Sequence, residues 1–113
     1  VKNPIYFTTH FAADDPNPLV QSFTKRYTAR FGKAPGAMAA VGYDVLLVLA
    51  DAMDRCQDPR DRKQLAQAIA ATKDVKGVTG SISLDNAERT PKKPLAVVRV
   101  DGGFKFVKAV SPE

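Results

Sequence analysis

Two short stretches of the sequence carry the side chains best suited to chemistry. The first is Thr8, Thr9, His10 and Phe11, which end a run of β-branched and aromatic residues. Ligands of open α/β sheets bind beyond the carboxyl ends of the strands, so these four residues are candidates for lining a ligand cleft. Threonine hydroxyls hydrogen-bond polar ligand groups, and a phenylalanine ring packs against apolar ones. The alternative interpretation is a polar strand end that meets a loop.

The second stretch is the pair Tyr43 and Asp44, inside a helical pattern. The helical neighbours of Asp44 three and four residues away are all apolar, namely Ala40, Val41, Leu47 and Val48. A carboxylate in such surroundings must find hydrogen-bond donors or shift its pKa. Two interpretations stay open: the pair contacts a ligand at a cleft or hinge, or Asp44 is a structural acid that accepts hydrogen bonds from a neighbouring loop.

The sequence predicts no catalytic, metal or cofactor site. His10 with Asp14 and Asp15 lacks the fixed spacing of a metal site, and the single Cys56 can form neither an internal disulfide nor a cysteine-based metal site. No serine lies in a GxSxG motif, and residues 77–80 lack the Lys-Ser/Thr ending of a phosphate loop. An enzyme is therefore the weakest interpretation, and it rests only on His10 and the nearby acids.

The charge pattern permits a nucleic-acid partner but does not favour one. The net charge is +5, and the 17 basic residues are scattered apart from Lys25-Arg26 with Arg30 and the pair Lys92-Lys93. A small basic nucleic-acid-binding module remains an alternative, and steeply salt-dependent binding to generic DNA or RNA would support it. Our expectation is no nucleic-acid partner.

Tyr43 and Asp44 lie on a long helix predicted over residues 35–56, the longest apolar-periodic segment, on which the rest of the chain is expected to pack. One apolar stripe follows helical spacing and comprises Met38, Val41, Val45, Leu49, Ala52 and Cys56. The opposite face carries Tyr43, Leu47 and Ala50. A helix apolar on most sides is usually buried between two layers. Its longest unbroken apolar run, residues 45–50, is too short to span a bilayer.

Local signals place the remaining elements. A strand is predicted over about residues 4–10, and a helix runs from the cap Asn17 and Pro18 to Gly32. An acid followed by proline, Asp58-Pro59, predicts a third helix that reaches about Lys73. A short strand over residues 81–84 follows a turn with positive φ expected at two glycines, and the chain ends in a hairpin of Leu95–Val100 and Phe104–Val110. The opening strand has no obvious parallel partner.

Several stretches, taken in order, resemble one family. They are IYFTTHFAADDPNP, a helix ending RYTARFGKAP, AAVGYDVLLVLADAM, LAQAIAATKDVKGVTGSISLD and PLAVVRVDGGFKFV. Together they resemble the C-terminal third of the extracytoplasmic solute-binding proteins of branched-chain amino-acid ABC transporters, of the leucine/isoleucine/valine-binding type. The resemblance covers essentially all 113 residues.

The resemblance implies a fold class: α/β, a segment of a two-lobed periplasmic-binding-protein fold, ordered as a strand, three helices, a short strand and a C-terminal β-hairpin. Residues 1–113 would be a single segment, the C-terminal part of a larger two-lobe protein. The first strand would cross between the lobes, and the family's best-known ligand contacts would lie upstream of this segment.

The resemblance also implies a function. The lobes of such a protein close on a small ligand, here a branched-chain or related amino acid or a small carboxylate, and the closed form docks on the ABC transporter permease. The protein would be a periplasmic carrier rather than an enzyme, and no signal peptide is present in this chain. A ligand-sensing receptor of the same fold is an alternative. The isolated chain, lacking half of the cleft, is expected to be a dimer or larger.

Overall fold

The computed structural model describes residues 3–88 and 90–112. Its elements follow the order β1 (Ile5–Thr9), α1 (Pro18–Phe31), α2 (Ala37–Asp54), α3 (Arg62–Ala70), β2 (Val75–Gly77), β3 (Gly80–Ile82), β4 (Leu95–Val100) and β5 (Phe104–Val110). The predicted mixed α/β order is confirmed. The difference is that a two-stranded hairpin, β2–β3, stands where the sequence predicts one short strand.

The ends of α1 follow the predicted capping signals. The side chain of Asn17 accepts a hydrogen bond from Leu19 N at 2.9 Å, and Pro18 occupies the first turn, where its missing N–H costs nothing. Gly32 ends the helix in the left-handed region, with φ of 70°, and donates its N–H to Thr28 O at 2.8 Å.

The ends of α3 differ from the prediction. Asp61, not Asp58, caps the helix, because its carboxylate accepts hydrogen bonds from Lys63 N at 2.9 Å and Gln64 N at 3.3 Å. Asp58 instead accepts a hydrogen bond from Arg60 N at 3.0 Å within the preceding turn. The helix ends at Ala70, before the predicted limit.

The main sheet is antiparallel throughout, with strand order β1-β4-β5. The sequence offers no parallel partner for the first strand, and the structure provides an antiparallel one: β1 pairs with β4 along its whole length, from Ile5 opposite Val100 to Thr9 opposite Ala96. The predicted C-terminal hairpin is confirmed as β4–β5. Its turn places Gly102 and Gly103 at positive φ, and a bulge shifts its register between Val97 and Val98.

The β2–β3 hairpin contains two glycines with different roles. Gly80 has φ of 111°, as predicted, whereas Gly77 is not in the positive region. Gly77 is instead a point of close approach, since a Cβ atom there would lie 2.5 Å from Asp44 Oδ2. Its lack of a side chain therefore lets the hairpin reach α2.

Two small cores lie on either side of the segment that follows β1. Phe11 enters the helical core with Val20 and Phe23 of α1, Ala40 of α2 and Val78. The next residue, Ala12, enters the sheet core with Ala96, Val98 and Phe106. Two consecutive residues thus join the helical layer to the sheet.

Only part of α2 is buried, so the prediction that this helix lies between two layers is wrong for this chain. Its buried positions are Ala40, Asp44 and Ala52, because small side chains allow neighbouring elements to approach closely. Val45 of the predicted stripe is 60% exposed, and neighbouring Leu46 is 63% exposed. None of the described helices is both long enough and apolar enough to cross a membrane.

Candidate functional site

A groove of about 400 Å³ lies where the main sheet, the loop after β1 and the start of α2 meet. Two of the candidate residues, Thr9 and Phe11, line it. The remaining lining is mostly apolar and comprises Phe7, Ala12, Ala13, Asp14, Pro35, Gly36, Ala37, Val98 and Phe104. Concave, largely apolar surfaces with a few polar groups are the usual form of small-molecule sites.

An aromatic pair forms one wall of the groove. The rings of Phe7 and Phe104 meet edge to face, with centroids 5.2 Å apart and an interplanar angle of 87°. This arrangement brings the positive edge of one ring to the negative face of the other. Strand order makes the contact possible, because β4 carries β1 on one side and β5 on the other.

Asp14 fixes the loop on the other side of the groove. Its two carboxylate oxygens accept hydrogen bonds from the same donor, Phe106 N, at 3.1 Å and 3.0 Å. Asp14 therefore holds the segment after β1 against β5, and it is the one charged side chain among the described residues that line the groove.

The N-terminus of α2 supplies further polar groups. Gly36 precedes the helix and provides no side-chain cap. The first amide groups of a helix have no partner within the helix, so they are left to water or to a ligand. Gly36 and Ala37 line the groove, so the start of α2 lies beside the Thr9 and Asp14 side chains.

Thr8 and His10 lie elsewhere. Thr8 is exposed and does not line the groove. His10 lines a separate, smaller cavity of about 100 Å³ near Val78 and Thr79. The described residues contain no group of three metal-ligating side chains, and Asp15, the second acid near His10, accepts a hydrogen bond from Asn17 N at 2.8 Å.

Tyr43 contributes to the packing of α2 on α1. Its ring lies 4.8 Å from that of Phe23, measured between centroids. Its hydroxyl accepts a hydrogen bond from Arg26 Nη2 at 3.0 Å, and the same guanidinium lies 5.7 Å from the ring centroid. The structure thus brings Tyr43 to α1 rather than to the groove.

Asp44 is almost fully buried, with 2% of its surface exposed, and its carboxylate is satisfied by the β2–β3 turn. It accepts hydrogen bonds from Val78 N and Thr79 N, both at 2.8 Å, and from Thr79 Oγ1 at 2.5 Å. These contacts are those of a structural acid that anchors a neighbouring loop.

Lys93 extends this buried network. Its Nζ donates a hydrogen bond to Thr79 Oγ1 at 2.9 Å, so the threonine hydroxyl links the ammonium group to Asp44. Burial lowers the pKa of Lys93 from its ordinary value, and the nearby negative charge of Asp44 partly offsets that shift. The stability of the fold should therefore rise with pH between the folded pKa of Lys93 and its ordinary value.

Sequence reasoning missed several lining residues. Phe7 could have been found, since it lies two positions before Thr9 and side chains two apart share one face of a strand. Phe104, Asp14 and the start of α2 carry no such signal. They reach the groove only through contacts between distant parts of the chain.

The family model described as periplasmic binding protein matches residues 2–105. None of the curated proteins matches the chain. Among solved structures, the chain is similar to a leucine-binding protein of Thermotoga maritima, with 31% identity and a TM-score of 0.79 over 97% of this chain and 31% of that one.

Two further solved structures share the fold. A solute-binding protein of an ABC transporter from R. palustris, in complex with benzoate, has 24% identity and a TM-score of 0.80 over 97% of this chain and 31% of that one. A substrate-binding protein of an ABC transporter from Desulfitobacterium hafniense, in complex with Leu, has 24% identity and a TM-score of 0.73 over 92% and 30%.

The chain spans about a third of the length of these solved proteins. The family match covers most of the sequence, and the fold of the described residues agrees with it. The chain therefore belongs to the periplasmic binding protein family.

Proposed function

We propose that this chain is the C-terminal part of a two-lobe solute-binding component of an ABC transporter. The whole protein would capture a branched-chain or related amino acid, or a small carboxylate, outside the cytoplasm and deliver it to the permease. The proposal is supported by the family match and by two similar structures whose ligands are leucine and benzoate. Such a carrier binds and releases its ligand without making or breaking a bond, so it is not an enzyme.

The observation that carries the proposal is the aromatic groove beside the main sheet. Its Phe7–Phe104 wall suits an apolar or aromatic ligand group. The Thr9 hydroxyl and the uncapped amides of α2 suit a carboxylate, which is the group that both proposed ligand classes share, whereas the Asp14 carboxylate in the same lining suits the ammonium group of an amino acid. The groove would form one wall of the cleft, and Thr8, His10, Tyr43 and Asp44 would position that wall rather than touch the ligand.

The arrangement of the two cores suits closure of the lobes. Hinges are usually a few residues at the ends of elements, which absorb a change in backbone angles. Phe11 and Ala12 follow β1 after one residue, His10, and each is buried in a different core. Ligand binding would favour the closed state because only that state brings both walls of the cleft to the ligand.

The first experiment is to measure the intact mass of the protein from its source cells and then to screen that protein for ligands by thermal shift. We expect a polypeptide about three times as long, as the share of the solved proteins suggests. Leucine, isoleucine, valine and benzoate should include a compound that raises the melting temperature. A native protein of 113 residues would contradict the proposal, as would the absence of a shift with every amino acid and small carboxylate tested.

A variant pair tests the groove within that protein. Phe7→Ala should weaken binding of the identified ligand by roughly 5- to 30-fold, because it removes about 1–2 kcal/mol of apolar contact. Tyr6→Ala is the matched control, since Tyr6 is the adjacent aromatic residue of β1 and does not line the groove. Calorimetric titration measures both. Equal affinities for the two variants would exclude the groove from the cleft.

For the 113-residue chain on its own, we propose association with further copies of itself. Its radius of gyration is 16.1 Å, whereas a compact domain of this length has about 13 Å. Apolar side chains of α2 and of the main sheet are exposed as a result. Light scattering should report a mass above that of one chain, and one-chain mass at every concentration would contradict the proposal.

A further inference from the structure

The chain passes twice between the main sheet and the helical layer. One connection joins β1 to α1, and the other joins β3 to β4. The two layers have separate cores, so their relative orientation depends on the segments that connect them. In the proposed carrier, hinge bending would take place in such connections, because the packed layers themselves deform little.

The connection between β1 and α1 is bound to the sheet. Ala12 is buried in the sheet core with Val98. Two residues later, the Asp14 carboxylate accepts hydrogen bonds from Phe106 N of β5 at 3.1 Å and 3.0 Å. The segment is therefore held by a strand that lies 92 positions away along the chain.

The same connection is also bound to α1, through the side chain of Gln21. Its Nε2 donates a hydrogen bond to Asp15 O at 2.6 Å and a longer one to Ala13 O at 3.5 Å. These two acceptors belong to the residues on either side of Asp14. The helix thus holds the neighbours of the residue that the sheet holds, and Asp15 N closes the segment into a turn by donating to Ala12 O at 3.1 Å.

We infer that Asp14 and Gln21 act together as a clamp that fixes the angle between the sheet and the helical layer for ligand capture. Ala13 and Asp14 line the groove, whereas Gln21 does not. Gln21 is therefore a positioning residue, which acts on a bound molecule only through the segment that it holds. The inference rests on the proposed function and adds the residues that set the geometry of the cleft wall.

Preorganisation is the physical reason why the clamp should influence affinity. A segment that must become ordered during binding consumes part of the interaction free energy, whereas a segment already held in place does not. Hydrogen bonds between neutral groups contribute modestly, so release of the clamp should weaken binding by roughly 3- to 10-fold. The change should appear mainly as faster dissociation.

Gln21→Glu tests the clamp in the full-length protein. The substitution keeps the size of the side chain and replaces the donor NH₂ by an oxygen, so both hydrogen bonds to the segment are lost. Gln67→Glu is the matched control, because it makes the same change at an exposed position of α3 that does not line the groove. The probe is whichever of leucine, isoleucine, valine and benzoate raises the melting temperature most.

Calorimetric titration well below the melting temperature measures the effect of both variants. Gln21→Glu should weaken binding of the probe by roughly 3- to 10-fold. Gln67→Glu should change it by less than about 2-fold, as is usual for surface substitutions.

A double variant tests whether the two residues act as one unit. Once Gln21→Glu has released the segment, Asp14→Ala should reduce affinity by a smaller factor than it does in the wild-type protein, because both residues hold the same segment. Fully additive losses of binding free energy would show that Asp14 and Gln21 act independently, and they would overturn the clamp.

The remaining outcomes separate the clamp from the proposed function. Equal affinities of Gln21→Glu and Gln67→Glu overturn the clamp and leave the proposed function standing, since the protein still binds the probe. A lower melting temperature of Gln21→Glu with unchanged affinity also overturns it, because the hydrogen bonds would then serve stability alone. Tighter binding would mean that the contacts favour open lobes, which contradicts the inference. A wild-type protein that binds none of the four compounds removes the proposed function and the clamp with it.

Discussion

Asp44 is the residue on which most of the buried polar structure depends. Three donors from the β2–β3 turn converge on one carboxylate, and Lys93 reaches the same threonine hydroxyl. A carboxylate accepts at both oxygens, so it satisfies two adjacent backbone N–H groups that no neutral side chain of this size can satisfy equally.

Replacing Asp44 by Asn should lower the free energy of unfolding by about 2–4 kcal/mol. The amide NH₂ would face a backbone N–H and leave a buried donor without an acceptor. Urea unfolding followed by circular dichroism measures the change. Asp51→Asn is the control, since Asp51 pairs with Arg55 at 2.9 Å in a partly exposed position and should cost no more than about 0.5 kcal/mol. Equal losses would contradict this account of Asp44.

Glycine-to-alanine substitutions at two sites should have opposite effects. Gly77→Ala should destabilise the fold, because its Cβ would meet the Asp44 carboxylate at 2.5 Å and push the hairpin away from α2. Gly42→Ala, within α2, meets nothing within 4 Å and should stabilise the helix by about 0.5–1 kcal/mol. Melting temperatures of the two variants compare them directly, and an unchanged or raised melting temperature in Gly77→Ala would show that the close approach at Gly77 is unimportant.

The burial of Asp44 could be predicted from the sequence. The apolar helical neighbours of Asp44 already indicate a buried carboxylate that needs donors. Its partners could not be identified, because Val78 and Thr79 lie more than thirty positions away and depend on how the hairpin folds onto α2. For the same reason Phe104 could not be assigned to the groove wall before the order of the strands was known.

At the scale of elements, capping decides where the short helices begin. α3 has nine residues, which is too few for a stable helix without packing and a cap. Hydrogen bonds from the backbone N–H groups of Gln64 and Lys63 hold the pKa of Asp61 below its ordinary value of 3.8. The cap is thus strongest when Asp61 is ionised.

The helix content of α3 should depend on pH in a defined direction. Because the folded pKa of Asp61 is depressed, its stabilisation is fully present above pH 3.8 and is lost as the pH falls through the lower folded value. Asp61→Asn keeps an N-cap side chain that does not titrate, so it should remove this pH dependence while retaining the helix. Chemical shifts of residues 62–70 between pH 2 and 6 measure it. An unchanged pH profile in Asp61→Asn would assign the titration to another group.

The ends of α1 were predictable because their signals are local and unambiguous, whereas two nearby acids, Asp58 and Asp61, competed as the cap of α3, and the packed face of α2 was not predictable. Asn17, Pro18 and Gly32 act through bonds to residues within a turn, so sequence spacing suffices to identify them. The buried face of α2 is set by what lies against it. Ala40, Asp44 and Ala52 are buried because other elements approach there, whereas the more apolar Val45 lies on the open side.

At the scale of the whole molecule, the chain has a helical layer and a sheet, with extents of 56 × 36 × 19 Å. The two layers share few contacts beyond the segment that follows β1, where Phe11 and Ala12 enter separate cores. The exposed side of α2 and its apolar groove are surfaces that a larger protein would cover.

Val45→Gln should change the free energy of unfolding of the 113-residue chain and of the larger protein by different amounts. In the 113-residue chain Val45 is 60% exposed, so the free energy of unfolding should change by less than about 0.5 kcal/mol. In a full-length solute-binding protein that covers this side of α2, the same change should cost about 2–3 kcal/mol, because a polar amide would be buried. Denaturant unfolding of both proteins tests this, and equal small effects would mean that the side stays open in both.

The pairing of β1 with β4 has a consequence for the order in which the chain folds during synthesis. β1 is synthesised before all three helices, and its hydrogen-bonding partner β4 follows only after them. Pairings between such distant segments form slowly, because a long loop must close before the contact forms. β1 therefore lacks its β4 partner while the three helices are synthesised, and the helical core can form well before the sheet does.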